Sequence, residues 1–193
     1  MKTIKISGKE MQARISRFKN LQPLPIQQSD VPLAARDVVY SRKLLSVIGL
    51  DQDAPTPINA NAPIRGAAGM TMTLAVCPPG QGPGLHSHVQ TYETFTVLQG
   101  HFEIRWNDDG GESAILEQFD TVCFPPGVCR AFRNVGTEEG ILQVLITGGV
   151  HDMTDIDFSE KAKQQIEAVR PGLAREFEKV GFRFTAGKGG VSV

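Results

Sequence analysis

From Met70 onward the apolar residues of this chain recur with a period of two. Met70-Thr71-Met72-Thr73-Leu74-Ala75-Val76 alternates as a half-buried strand must, because successive side chains of a strand leave opposite faces. Residues 94–98 and 102–106 read as two more strands with Gly100 between them, and Asn107-Asp108-Asp109-Gly110-Gly111 is a hairpin-type turn. The segments 113–116, 121–124, 130–134 and 141–147 continue the series. Many short strands separated by Gly, Pro and Asp turns must bury their apolar faces against one another. The chain is therefore mainly β, a sandwich or a barrel, and the jelly roll is one solution.

The flanks read differently. Ser7 is an N-cap for a short helix with Met11, Ile15 and Phe18 on one side, ended by Leu21-Gln22-Pro23. A second helix is expected over 33–47, with Val38, Val39, Leu44 and Leu45 as its apolar face, and 51–65 reads as a wrapping loop. In the tail, Ser159 caps a helix running to Val169. Pro171 opens another helix that ends before Gly181, 183–185 suits an edge strand, and 186–193 is expected to fray. This gives one structural domain in three parts: an N-terminal helical arm and loop over 1–65, the barrel over 66–150, and a C-terminal helical extension over 151–193.

Composition excludes several partners. With 193 residues and a formal net charge of -1, the chain has no basic surplus for nucleic acid or acidic lipid. No apolar run approaches the roughly 20 residues of a membrane span. The basic start, Met1-Lys2-Thr3-Ile4-Lys5, lacks a following apolar stretch, so no signal peptide is expected. The cysteines, Cys77, Cys123 and Cys129, match no zinc spacing; they read as small hydrophobes in a protein of the reducing cytoplasm.

The chemistry concentrates in Gly80-Gln81-Gly82-Pro83-Gly84-Leu85-His86-Ser87-His88-Val89-Gln90-Thr91-Tyr92-Glu93. His86 and His88 leave the same face of an extended strand, and a bend over 89–92 must bring Glu93 round to join them. Two imidazoles and one carboxylate suit iron and related divalent ions, with positions left open for substrate. His101 shares a strand face with Glu103 and Arg105, opposite Phe102, Ile104 and Trp106, so it is expected at the surface. His151, with Asp152, Asp155 and Asp157 nearby, reads as a solvated loop or helix entry, and the Cys129 thiol is expected to face away from the pocket. Tyr92, Phe95, Val97 and Phe132 are candidates for a cavity lining, with Phe95, Val97 and Phe132 inward by alternation.

The segment resembles the first motif of the cupin superfamily: Gly80, His86-x-His88, Glu93 and Gly100 fall at every key position. Phe124-Pro125-Pro126-Gly127 through Arg130 to Asn134 is similar to the second motif, so the resemblance spans about 70–147. It implies a double-stranded β-helix (jelly-roll) barrel with the site inside, and pairing of barrels into a homodimer. It also implies His86, His88 and Glu93 as ligands of Fe, Mn, Ni or Zn in a dioxygenase, oxidase, decarboxylase or isomerase. Two positions depart. Phe119 stands where the second motif begins with Gly, and Arg130 replaces its metal-binding His.

Arginine is not an ordinary metal ligand. At about 5 Å and an effective dielectric of about 20, its repulsion with a divalent ion is of order 6 kcal/mol. Two readings of the pocket therefore stand, beside a third in which the chain is a structural or regulatory cupin with no pocket chemistry. In one, Arg130 and a metal share the site, and the positive surplus favours an anionic substrate that Arg130 grips bidentately. The chain is then a metal-dependent oxidoreductase acting on a small carboxylate, with Arg130 and Glu93 as the catalytic residues. In the other, Arg130 pairs with Glu93 and the barrel is a metal-free binder of small anions.

Overall fold

The computed structural model describes residues 3–50, 56–67, 69–148 and 153–188. Its strands are β1 (Lys43–Leu50), β2 (Ile64–Ala67), β3 (Met70–Cys77), β4 (His86–His88), β5 (Tyr92–Gln99), β6 (Phe102–Trp106), β7 (Glu112–Leu116), β8 (Thr121–Phe124), β9 (Arg130–Asn134), β10 (Gly140–Thr147) and β11 (Ile156–Phe158). They form a six-stranded sheet, β2-β1-β3-β10-β5-β8, and a five-stranded sheet, β11-β4-β9-β6-β7. The strand pairs are antiparallel except β1 with β2. Alternation in β5, β6, β9 and β10 turns Phe95, Val97, Phe102, Ile104, Phe132, Leu142 and Val144 into one core between the sheets. Phe95 meets Phe132 edge to face at 5.1 Å. The mainly β jelly-roll barrel with helices at both ends is thus the observed fold, and His101 lies exposed on it as expected.

Two contacts seat the loop that delivers β4. Gly80 donates its N–H to the Asn134 carbonyl at 2.8 Å, and Asn134 donates back to the Gln81 carbonyl at 3.0 Å. Gly82 passes so close to β9 that a Cβ there would stand 1.9 Å from the Phe132 oxygen, so no other residue fits. The buried Asn134 side chain also holds the carbonyls of Cys77 and Glu138.

The flanks require corrections. The second helix, α2, covers only Leu33–Val39; Tyr40 is already extended, and 43–50 is strand β1, antiparallel to β3. This strand is apolar on both faces because Leu44 packs on the inner core while Leu45 and Val47 lie in an outer layer with Leu74 and Val76. A strand covered on both sides loses its alternation and is easily read as helix. The first helix, α1 (Gly8–Gln12), has the expected Ser7 cap, closed reciprocally by Glu10, but Met11, Ile15 and Phe18 remain exposed. Within the expected wrapping loop, 51–55 lies outside the described residues, and the rest forms helix α3 (Pro57–Asn61), capped by Thr56, and then β2.

In the tail, α4 (Glu160–Val169) starts on Ser159 as expected, while α5 (Leu173–Lys179) takes Gly172, not Pro171, at its entry. Residues 183–185 form no strand; Phe158 donates to the Arg183 carbonyl and accepts from Ala186. The expected fraying of 186–193 concerns mostly residues outside those described. The C-terminal helices and α2 close over Phe158, Ile166, Phe177 and Phe182 as a second core. Among the described residues no helix is long and apolar enough to cross a membrane.

Phe119 shows what its missing glycine was for. Its φ of 75° is left-handed. The turn keeps the glycine conformation and carries a 73% exposed aromatic residue in it, a backbone strain of roughly 1–2 kcal/mol.

Candidate metal centre

β4 runs as a middle strand of its sheet, pairing with β11 on one side and, at His86 opposite Arg130, with β9 on the other. Both imidazoles point between the sheets. The bend after His88 then carries the chain across, so that Glu93 enters from β5 in the opposite sheet. His86, His88 and Glu93 are all buried, with one ligand atom from each within 4.8 Å of the others. His86 Nε2 is 3.6 Å from Glu93 Oε2 and His88 Nε2 is 3.7 Å from Oε1. Two metal bonds of about 2.1 Å span up to about 4.2 Å, so both separations admit a shared ion.

The outer ring nitrogens fix the tautomers. His86 Nδ1 lies 2.9 Å from the Gly84 carbonyl, which can only accept. His88 Nδ1 lies 2.9 Å from Thr91 Oγ1 and 3.1 Å from Asp155 Oδ2, and the Thr91 hydroxyl is itself spent on Asp155. Each Nδ1 therefore carries the proton, and each Nε2 presents its lone pair towards Glu93. A ligating imidazole requires that tautomer, and a carboxylate behind it is a common support. The donor set fits a divalent cation.

Asp155 is the residue that sequence reasoning missed. It was expected in a solvated loop or helix entry; it ends the short helical turn Met153–Asp155, yet it is 2% exposed. Besides His88 and Thr91 it accepts from the Gln90 N–H at 2.6 Å, so it holds the bend and the His88 ring together. The period of two in Asp155-Ile156-Asp157-Phe158 marks strand β11, but Asp155 ends the short turn before it and nothing in that pattern points to its burial. The expectation for His151 and Asp152 falls outside the described residues.

Arg130 is fully buried and donates from Nε to Glu93 Oε2 at 2.8 Å. Nη1 donates to the Val128 carbonyl at 3.0 Å, and Nη2 is buried without a partner. Its bond leaves Glu93 Oε1, the oxygen nearer His88, clear of the guanidinium. Burial alone would raise the Glu93 carboxyl, but the adjacent Arg130 charge outweighs it and holds the group below the usual carboxylate range. Burial lowers His88, against the pull of Glu93 and Asp155, and so favours the neutral ligand form. Burial opposes ionisation of Asp155 too, but hydrogen bonds from His88, Thr91 and Gln90 bring it down to about 2.

A cavity of about 120 Å³ opens beside the three residues. His86, His88, Glu93 and Asp155 form its polar end. Arg130 does not line it, so the expected bidentate grip on a substrate gives way to a grip on Glu93. Of the expected lining, Phe132 contributes; Phe95 and Val97 belong to the core, and Tyr92 is exposed. Cys129 is buried away from the cavity, as expected.

Residues 73–147 match the cupin domain family. No curated protein matches the chain. Solved structures with similar barrels include a putative sugar phosphate isomerase from Acidithiobacillus ferrooxidans, at 24% identity over 42% of this chain and 52% of that one, TM-score 0.38. A conserved protein with a double-stranded β-helix domain from Klebsiella pneumoniae is 25% identical over 42% of this chain and 68% of its own, TM-score 0.39. The structure described for the DMSP lyases RdDddP and RnDddQII is 20% identical over 60% of this chain and 51% of that one, TM-score 0.46. The chain thus spans about half the length of the first and last of these.

Proposed function

The chain belongs to the cupin superfamily, and from that premise we propose that it is a metal-dependent enzyme, of the oxygen-using oxidoreductase kind, acting on a small anionic organic molecule. The observation that carries this reading is the commitment of both Nδ1 protons, to Gly84 and to Asp155 with Thr91, which leaves two Nε2 lone pairs facing one ionised carboxylate. His86, His88 and Glu93 are the proposed ligands of Fe, Mn, Ni or Zn. Bound there, such an ion supplies Lewis-acid polarisation of a substrate oxygen or activation of dioxygen.

The remaining roles fall to the protein. Arg130 keeps Glu93 ionised and orients it through Oε2. Asp155 holds the His88 ring, and the Phe158 ring, 5.3 Å from that of His86, restrains the other imidazole. Apolar walls exclude water and strengthen electrostatic contacts inside. The free cysteines fit a reducing, cytoplasmic location. Exposed Ile4, Ile6, Met11 and Phe18 support pairing of two chains into a homodimer.

The Arg130–Glu93 pair also supports a second reading, a metal-free pocket in which the guanidinium takes the place of the ion as the partner of Glu93. Elemental analysis of purified protein, followed by titration with Fe, Mn, Ni and Zn, separates the two. The first reading expects one ion per chain in the wild type and none retained in His86→Ala. A wild type that takes up no ion from any of the four leaves the second.

A further inference from the structure

The charge pattern of the cavity constrains its ligand further, on the premise that the metal reading holds. We infer that the site takes a small amphiphile with a single acidic oxygen head, of the short-chain monocarboxylate class, and rejects molecules carrying a second anionic group.

The polar groups converge on one end. There an acidic oxygen would meet the ion held by His86, His88 and Glu93. Away from it the walls are Val39, Leu44, Val144, Ile146, Phe158 and Phe182. No lysine or arginine stands among the described residues that line the cavity, and Arg130 is shut behind Glu93 with no exposed surface. The other polar lining groups, Tyr40, Ser41, Thr56 and Thr73, are neutral. A second carboxylate or a phosphate would leave water with no cation to receive it, and an unpaired buried charge is too costly to accept.

An apolar body has a track instead. Phe182 lies 5.7 Å from Phe158, and Tyr40 lies 6.0 Å from Phe182, so an aromatic wall leads away from His86. The volume of about 120 Å³ is slightly below the ~150 Å³ that holds benzene, which sets the body at on the order of six non-hydrogen atoms.

Calorimetric titration of Mn(II)-loaded and metal-free protein with acetate, propanoate, butanoate, succinate and glycerol 3-phosphate tests this. In the loaded protein, affinity should rise about fourfold per added methylene from acetate to butanoate. Succinate and glycerol 3-phosphate should bind at least about tenfold more weakly than butanoate. A flat series, a dianion that binds as tightly as butanoate, or no saturable binding of any probe at millimolar concentration overturns the inference. The same ordering with and without Mn(II) would leave the ligand class standing and remove the metal reading, whereas metal-dependent binding with the order reversed would remove the ligand class alone.

Discussion

The barrel segment 73–147 and the segments that flank it contribute unlike things to one site. The barrel supplies the groups that touch at its centre: His86 and His88 from one sheet, Glu93 from the other, and Arg130 across from His86. The flanks supply what surrounds them. Val39 and Leu44 come from the N-terminal side, and Asp155, Phe158 and Phe182 from the C-terminal side. A barrel motif thus accounts for the proposed ligand atoms, but the tautomer of one of them and much of the cavity lining are set by chain outside it.

The largest effect should come from the barrel half. Arg130→Met strands Glu93 as a buried, uncompensated carboxylate, and metal-free protein should lose about 3–5 kcal/mol in denaturant unfolding. Arg130→His instead removes the repelling charge and offers another ligand, so Mn(II) affinity should rise at least about tenfold by calorimetry. Stability unchanged in the first variant would mean that the pair is not the organising contact of the barrel site, and weaker metal binding in the second would mean that holding Glu93 in place outweighs the repulsion of the ion.

The contrast between the regions also explains which features the sequence revealed. His86, His88 and Glu93 lie within one short stretch, so strand period and spacing were enough to group them. Arg130 pairs with Glu93 across 37 positions, and only its place in a motif pointed to the site. Asp155 meets His88 across 67 positions; no local pattern encodes that contact, and its acidic neighbours suggested solvent instead. β1 was misread for a different reason. Its two faces enter two apolar layers, so the period of two that revealed the other strands is absent.

Acid should separate the halves in order. His88 is lowered, so its contribution is complete above the unfolded value of about 6.5 and shrinks as pH falls below it. Asp155, brought to about 2 from 3.8, contributes on the order of 2 kcal/mol above the unfolded value, lost as pH falls from about 4 towards 2. Denaturant unfolding of metal-free protein across that range should show stability declining in both windows, with Asp155→Asn flattening the lower one. Stability that rises as pH falls from about 6.5 to 4 would contradict the buried neutral state of His88.

The smallest effect belongs to the barrel rim. Phe119→Gly relieves a left-handed backbone and should raise stability by about 1 kcal/mol, after the entropy cost of glycine. A loss of stability would show that the exposed ring makes contacts worth more than the strain.

The union of barrel and flank at His88 is tested most directly by Asp155→Asn. The variant should retain its fold by circular dichroism and bind Mn(II) about 10–100-fold more weakly than the wild type in calorimetric titration. Nitrogen NMR of the metal-free proteins should find the His88 proton on Nδ1 in the wild type and a mixed or reversed tautomer in the variant. Wild-type affinity together with an unchanged tautomer would show that the barrel sets its own ligand and that the C-terminal segment only covers it.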